Sequence, residues 1–313
     1  MLEDLINSVS KTDAEKDYWF VRTDNGIHFE TYVQNNFIGI GWNEITLNDL
    51  RTKTPDEIKG KIADVYNIDI ALTRGKGQVS AIFNKLKRFQ NLKKGDLIII
   101  PSANSSRFAF GIIADQRIYV DADQHYNCDY YKRRKVEWLD VKNVRDLDPI
   151  FYQVKNTRHA ISSINDYDTF IDAVTDVVYK KDGFSYYVLD VNTHEDINIK
   201  PLVSLVENLQ ILLERINQEF VLNEDTNDSS IKLNLQSPGK IIIKLRSGTS
   251  LILLAVLLAL ANGCAPNDLP VPVSQAELDK LENVKAIDTN VLDSINHDMQ
   301  VLEVDINKVN SFK

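Results

Sequence analysis

The first half of the chain breaks into short runs of apolar, aromatic and β-branched residues, and the second half into longer stripes with helical spacing. Residues 18–22 (Tyr-Trp-Phe-Val-Arg) and 37–42 (Phe-Ile-Gly-Ile-Gly-Trp) read as strands, with turn chemistry at Asp24-Asn25-Gly26 and a short helix over 28–35 between them. Thr54, Pro55 and Glu57 spell a capping box, which predicts a helix to about Tyr66. A second helix is predicted over 76–90, with Val79, Ile82, Phe83 and Leu86 on one face. Residues 97–100, 108–114, 118–120 and 136–139 read as further short strands, and 166–179 as a helix that closes this region.

A second unit begins near Gly183. Residues 186–191 read as a strand, and a helix opening at Pro201 carries Leu202, Leu205, Leu209, Leu212, Ile216 and Phe220 on one stripe. Residues 231–235 and 241–245 flank Ser237-Pro238-Gly239, a hairpin signal. Leu251 to Ala261 is an unbroken apolar run, shorter than the roughly 20 residues a membrane crossing needs, so a buried core helix is expected over a membrane-inserting one. Residues 267–272 form a proline-punctuated linker, and Ser274 with Glu277 forms another capping box. Leu292, Ile295, Met299, Leu302, Ile306 and Val309 then alternate by three and four, a heptad seam of nearly three repeats. That seam suits either packing against the protein's own body or self-association into a homo-oligomer.

The 313 residues suffice for two or three domains, and the composition, 43% hydrophobic and 26% charged, is that of a globular protein. The net charge of −9 leaves no global field for nucleic acid, so any such surface is a local patch. One reversal stands out: Arg74, Lys76, Lys85, Lys87, Arg88, Lys93 and Lys94 occur between 74 and 94 without an acidic residue. Lys132, Arg133, Arg134 and Lys135 form a second cluster, and Arg107 lies in a polar loop. The two cysteines, Cys128 and Cys264, have neither a CxxC nor a histidine at ligand spacing, so neither a disulfide nor a metal site is expected and a reducing, cytoplasmic setting is. The N-terminal residues are acidic and carry no signal-peptide pattern.

No catalytic set emerges. His28, His125, His159, His194 and His297 are scattered, Asp121-Ala122-Asp123 reads as a solvated acidic pair, and no nucleophile turn is present. Gly75-Lys76-Gly77 is too short for a phosphate loop. No cofactor is implied. The combination of aromatics, glycine turns and basic residues in short strands suits a small barrel with a base in an aromatic slot and phosphates on a basic rim. The candidate contacts are Trp19, Arg22, Trp42, Arg74, Lys76, Arg107, Phe110, Tyr119, Arg133, Arg134 and Trp138, with Tyr130 and Tyr131 nearby. Trp42 ranks first among the tryptophans, because glycines at its strand end allow close backbone approach.

Five segments in order, 18–22, 38–42 (Ile-Gly-Ile-Gly-Trp), 75–78 leading to 94–98 (Lys-Gly-Asp-Leu-Ile), 110–113 (Phe-Gly-Ile-Ile) and 134–138 (Arg-Lys-Val-Glu-Trp), carry a resemblance. Residues 18–160 resemble the PUA-like, EVE-related domain that precedes the nuclease in some Mrr-type restriction endonucleases. The resemblance implies an α+β protein: a PUA-like β-barrel with flanking helices over 18–182, after a polar arm over 1–17. The remainder is then a smaller α+β domain over 183–265, and a linker with a terminal amphipathic helix over 266–313. It implies a module that reads a nucleic acid, a modified base or a nucleotide, in a defence or restriction setting. Beyond residue 165 the pattern departs from that family: Asp190 and Glu195 sit near a strand end without the lysine of a PD-(D/E)xK nuclease. Three functions follow as expectations: a non-catalytic sensor with a C-terminal interaction or effector domain, a diverged restriction nuclease, and a ligand-triggered membrane-active effector.

Overall fold

A computed structural model describes residues 16–122, 128–157, 159–193, 195–234, 239–269 and 271–311, together with Asp4, Asn7 and Val9. The expectations for most of the N-terminal arm, for Asp123, His125 and His194, and for the Ser237-Pro238 turn lie outside the described residues. The fold is α+β, with a curled, half-barrel sheet and a largely helical C-terminal part. Residues 16–145 and 149–168 form one compact unit, and residues 169–313 with Asp146–Asp148 and Met1–Glu15 form the other.

The first unit runs β1 (Tyr18–Val21), α1 (Phe29–Asn35), β2 (Phe37–Ile40), α2 (Leu47–Thr52), α3 (Pro55–Val65), α4 (Thr73–Asn91), β3 (Leu97–Pro101), β4 (Arg107–Ile113), β5 (Tyr119–Val120), β6 (Lys132–Asn143), α5 (Phe151–Val154) and β7 (Ile161–Ser163). The strand order is β2-β6-β4-β3-β1-β7, with β5 also paired to β6. The long β6 makes the sheet curl. Lys132–Lys135 pair with β2, Val136–Asn143 pair with β4, and a register shift at Phe110/Gly111 bends the join. A side chain at Gly111 would stand 2.6 Å from the Trp138 ring, so glycine is what lets that tryptophan lie flat across β4. Thr54 and Glu57 close the expected capping box on α3, and an unanticipated second box, Thr46 with Asp49, opens α2.

The second unit runs α6 (Asp168–Thr175), β8 (Val178–Lys181), β9 (Phe184–Val191), α7 (Ile199–Glu219), β10 (Ser230–Asn234), β11 (Gly239–Arg246), α8 (Thr249–Ala261), α9 (Gln275–Ile287), α10 (Thr289–Val301) and α11 (Ile306–Ser311). Its sheet is antiparallel in the order β10-β11-β9-β8. Three expectations are corrected here. The helix expected over 166–179 ends at Thr175, because Val178 and Tyr179 are β-formers that pair with Tyr187 and Tyr186 across a hairpin. Asp182 and Gly183 both sit at positive φ in that hairpin, as a two-residue turn of the primed type requires. The boundary therefore falls near 168 rather than 182, and the C-terminal unit is comparable in length to the first rather than smaller.

The third correction concerns the terminal seam. Helix α10 stops at Leu302, Glu303 turns left-handed, and Val304 bridges to Val191 before α11 begins. Leu292, Ile295, Met299, Leu302 and Val309 are buried in the unit's own core, with Ile306 packed against it. Helix α10 packs on α7, and α11 on α8. Of the two uses the seam suited, packing against the protein's own body is the one its apolar face serves.

Helix α8 is the centre of this core: every residue from Ser250 to Ala259 is buried. No helix among the described residues is long and apolar enough to cross a membrane. A helix buried on all sides still has to satisfy its first N–H groups. The residue before α8 is Gly248, which has no side chain to cap it. Glu224 does so from a distance in sequence, accepting from Thr249 N at 2.6 Å, Ser250 N at 3.0 Å and Ser250 Oγ at 2.5 Å. A carboxylate at a helix N-terminus also meets the positive end of the helix dipole. Replacing it should therefore cost more than an ordinary cap: Glu224→Ala is expected to lower the unfolding free energy by about 2 kcal/mol, read as a shift in the urea midpoint. A change within error would show that the cap contributes nothing.

Candidate functional site

The candidate residues of the first unit separate into those spent on holding the fold and those left available. Of the three tryptophans, Trp19 donates its indole N–H to Asp96 Oδ2 at 3.0 Å and Trp138 donates to Tyr32 O at 2.9 Å. Asp96 also accepts from Lys93 N at 2.8 Å, which makes this one buried residue of an exposed turn an anchor for β1. Burial pushes the Asp96 carboxyl above its ordinary range, against these hydrogen bonds. Trp42 differs. Its indole nitrogen has no partner among the described residues, its ring is half-buried, and Lys85 Nζ lies 5.2 Å from the ring centroid. Trp42 is also a non-glycine residue at φ 56°, a conformation that costs energy and concentrates at functional positions.

The glycines beside Trp42 do not open space for a ligand, as their spacing suggested. Tyr130 fills it: a side chain at Gly39 would stand 2.9 Å from Tyr130 Cβ, and one at Gly41 3.0 Å from its ring. Tyr130 in turn lies 4.5 Å from the His28 ring, which stacks on Tyr32.

The basic clusters divide sharply. In β6, Lys132, Arg133 and Arg134 are buried, so the expected rim of cations is corrected to a set of internal struts. Arg134 donates to Phe89 O at 3.0 Å, Gln90 O at 2.7 Å and Gln116 O at 2.9 Å. The first two are carbonyls of the last turn of α4, where a cation is favoured by the helix dipole. Burial pulls Arg134 down to about 10, so it remains charged at neutral pH. Arg133 pairs with Asp121, donates to Tyr130 O at 2.9 Å and Cys128 O at 3.2 Å, and stacks 4.4 Å from the Phe37 ring. Phe110 is likewise corrected: it is fully buried, edge-on to Phe151 at 5.8 Å, and cannot stack on a ligand. Tyr119 lies half-buried on β5 opposite Arg133. Arg107 is half-exposed, paired with Glu30 and lying 5.1 Å from the Phe29 ring.

Helix α4 is the cationic surface that survives. Its buried side carries Val79, Leu86 and Phe89. Arg74, Lys85 and Arg88 follow one edge of that stripe, and Lys76 and Lys87 the other. Arg74, Lys76 and Lys87 are exposed, with no ion pair among the described residues. Arg88 is partly spent, donating to Ile161 O at 2.8 Å. Gly75 serves packing rather than phosphate binding: a side chain there would meet Asp69 O at 1.8 Å.

Arg22 sits elsewhere, in an open polar cleft of about 290 Å³ lined by Thr23, Asn25, Gly26, Ser102 and Asn104 among others. The cleft forms where the loop after β1 meets the loop after β3. Gly26 at φ 94° permits that contact, since a side chain would stand 2.2 Å from Ala103 N, and Thr23 Oγ1 donates to Pro101 O at 2.5 Å. Asn104 and Ser105 are consecutive left-handed residues on its wall. The Arg22 guanidinium is held by the carbonyls of Lys155 and Thr157.

In the second unit the carboxylate considered for a nuclease centre is neutralised instead. Asp190 pairs with Lys240 and, at 2.6 Å, with Lys308, while Glu195 is exposed in the loop that follows. Metal capability lies in the first unit, where His28, Cys128 and Asp129 bring ligand atoms within 4.8 Å of one another. Cys128 has no histidine at ligand spacing along the sequence, and the fold brings His28 to it in space. Spacing could not reveal a pair one hundred residues apart, though a histidine after a glycine turn and a Cys-Asp-Tyr-Tyr run were both visible.

A family model described as Domain of unknown function (DUF8426) matches residues 20–165, nearly the extent of the first unit. No curated protein and no solved structure matches the chain.

Lys132 offers a test of how Trp42 is held. Its buried ammonium donates to Trp42 O at 2.8 Å, and burial pulls its pKa down to about 8 from 10.5. Between those values the unfolded chain binds a proton that the folded chain does not, so this group makes stability rise as pH rises. The urea midpoint of the wild type relative to Lys132→Met is therefore expected to climb from pH 8 to pH 10. A flat difference across that window would mean the ammonium is not desolvated.

Proposed function

We propose that the first unit is a PUA-like, EVE-related module that binds nucleic acid or a nucleotide and senses the state of a base. The observation that carries this reading is the pairing of Trp42 with α4. A left-handed, half-buried tryptophan with an unspent indole N–H lies under Lys85, on a helix with no acidic residue. An aromatic face suits a base, at about 1–3 kcal/mol per stacked base. A cationic edge suits phosphates and makes affinity salt-dependent. The cleft adds the exposed amides of Asn25 and Asn104, which suit a base edge.

The family resemblance of the ordered segments and the half-barrel sheet support the PUA-like assignment. The setting, a cytoplasmic defence or restriction-type system, follows from that resemblance alone. In this reading the second unit is the interaction or effector module. The neutralised Asp190 removes the motive for a nuclease there, and the buried α8 removes it for a membrane-active helix.

The test is binding of the full chain to modified and unmodified, single- and double-stranded oligonucleotides and to free nucleotides, at two salt concentrations. Trp42→Ala is expected to weaken binding by about ten- to a hundredfold, and Lys76→Ala with Lys87→Ala to reduce the salt dependence. Absence of binding to every probe would overturn the reading. Binding that ignores Trp42 and α4 would move the site away from them.

A further inference from the structure

We propose that His28, Cys128 and Asp129 form a binding site for a thiophilic divalent cation, with Zn²⁺ the best match. Three observations lead there. First, the ligand atoms of the three residues already lie within 4.8 Å of one another. A tetrahedral zinc with bonds of about 2.0–2.3 Å needs its donors roughly 3.5 Å apart, so closure by about an ångström completes three sides of the site. The Asp129 carboxylate, on a side chain 80% exposed, already stands 3.5 Å from His28 Nε2, so the remaining closure falls on the distances to Cys128 Sγ.

Second, two of the three groups are buried, and one of them keeps an unpaired polar atom. His28 is 4% exposed, yet its Nδ1 has no hydrogen-bond partner. Cys128 is 3% exposed, is not in a disulfide, and its sulfur accepts from the Tyr130 backbone N–H and the Arg133 side chain. Buried polar groups left unpaired cost of the order of 1–3 kcal/mol, and a site that accepts a ligand is one way such a cost persists in a fold.

Third, the donor set and its neighbours suit the ion: the Arg133 guanidinium orders the segment by donating to the Cys128 and Tyr130 carbonyls. The pairing of Arg133 with Asp121 offsets its own charge near the incoming cation. A thiolate with an imidazole selects zinc-like ions over magnesium or calcium, and one carboxylate tolerates either. Three protein donors leave a fourth position for water.

A metal here would have a mechanical consequence. Cys128 and Asp129 immediately precede Tyr130, whose ring covers Gly39 and Gly41 next to Trp42. Occupancy would pin that segment to His28, at the base of α1, and so hold the cover beside the tryptophan in place.

The test uses the full chain without added nucleic acid, so its outcome is independent of the sensor reading. Zinc affinity is measured by competition with a chromophoric chelator, and Co²⁺ is added separately to read thiolate ligation by its charge-transfer absorption. The site predicts about one equivalent of metal and a sulfur-to-cobalt band. Cys128→Ser should abolish the band and weaken zinc at least about tenfold, and Asp129→Asn should weaken it by a similar factor. Because Asp129 is exposed, that variant keeps the fold even where Cys128→Ser does not. Cys264→Ser should change neither reading. Absence of stoichiometric binding, a band that survives in Cys128→Ser, zinc affinity unchanged in Asp129→Asn, or a band lost in Cys264→Ser would each overturn the proposal.

Discussion

Arg134 reaches from near the start of β6 to the last turn of α4, and the first unit is organised around that clasp. Its guanidinium satisfies carbonyls of Phe89 and Gln90 that the end of a helix leaves unpaired, and a third at Gln116. A charged group buried this completely is tolerable because all three of its nitrogens donate. The clasp fixes the C-terminal end of the basic helix against the strand that curls the sheet. Arg133, one residue earlier, faces the other way and holds the Cys128–Tyr130 segment by its carbonyls. Two adjacent arginines on a strand thus position two different walls of the candidate site without contacting a ligand themselves.

That arrangement accounts for why the available chemistry lies where it does. Lys132 holds the Trp42 carbonyl, Arg133 holds the loop that covers Gly39 and Gly41, and Arg134 holds α4. Of that cluster only Lys135 is exposed, so the exposed cations lie mainly on α4. Trp19 and Trp138 anchor β1 and α1 through their indole N–H groups, which leaves Trp42 as the tryptophan with an unspent one. The second unit follows a comparable principle with opposite charge. Glu224 caps the helix at the centre of the core, and Asp190 is gripped by two lysines from β11 and α11. In both units a buried charge near a chain reversal ties distant segments together.

Much of this architecture was legible in the residues. The capping boxes at Thr54 and Ser274 marked helix starts, and the length of Leu251–Ala261 pointed to a core helix. The leucine stripe of α7 and the strands around 97–113 followed from periodicity, because local spacing reports which face of an element is buried. The acid-free stretch from Arg74 to Lys94 likewise marked α4 as a cationic helix, since a missing counter-charge is a property of sequence. The Asp182-Gly183 turn was equally local, yet the helical spacing read through Tyr179 masked it.

Partnership was not legible. Nothing in Lys132-Arg133-Arg134-Lys135 distinguishes a solvated basic rim from buried struts, because the difference lies in carbonyls supplied by residues 42, 89, 90, 116, 128 and 130. The heptad seam was present in sequence, but whether it meets another chain or α7 depended on where α10 stops and on the left-handed turn at Glu303. His28 and Cys128 become neighbours only when α1 and the segment before β6 close over β2. Periodicity and capping are set by interactions within a few residues, so the sequence determined the elements and the sign of α4. Burial of charge and convergence of ligands are set by contacts between segments far apart along the chain, so tertiary structure alone decided which cations, aromatics and thiols remain free to act.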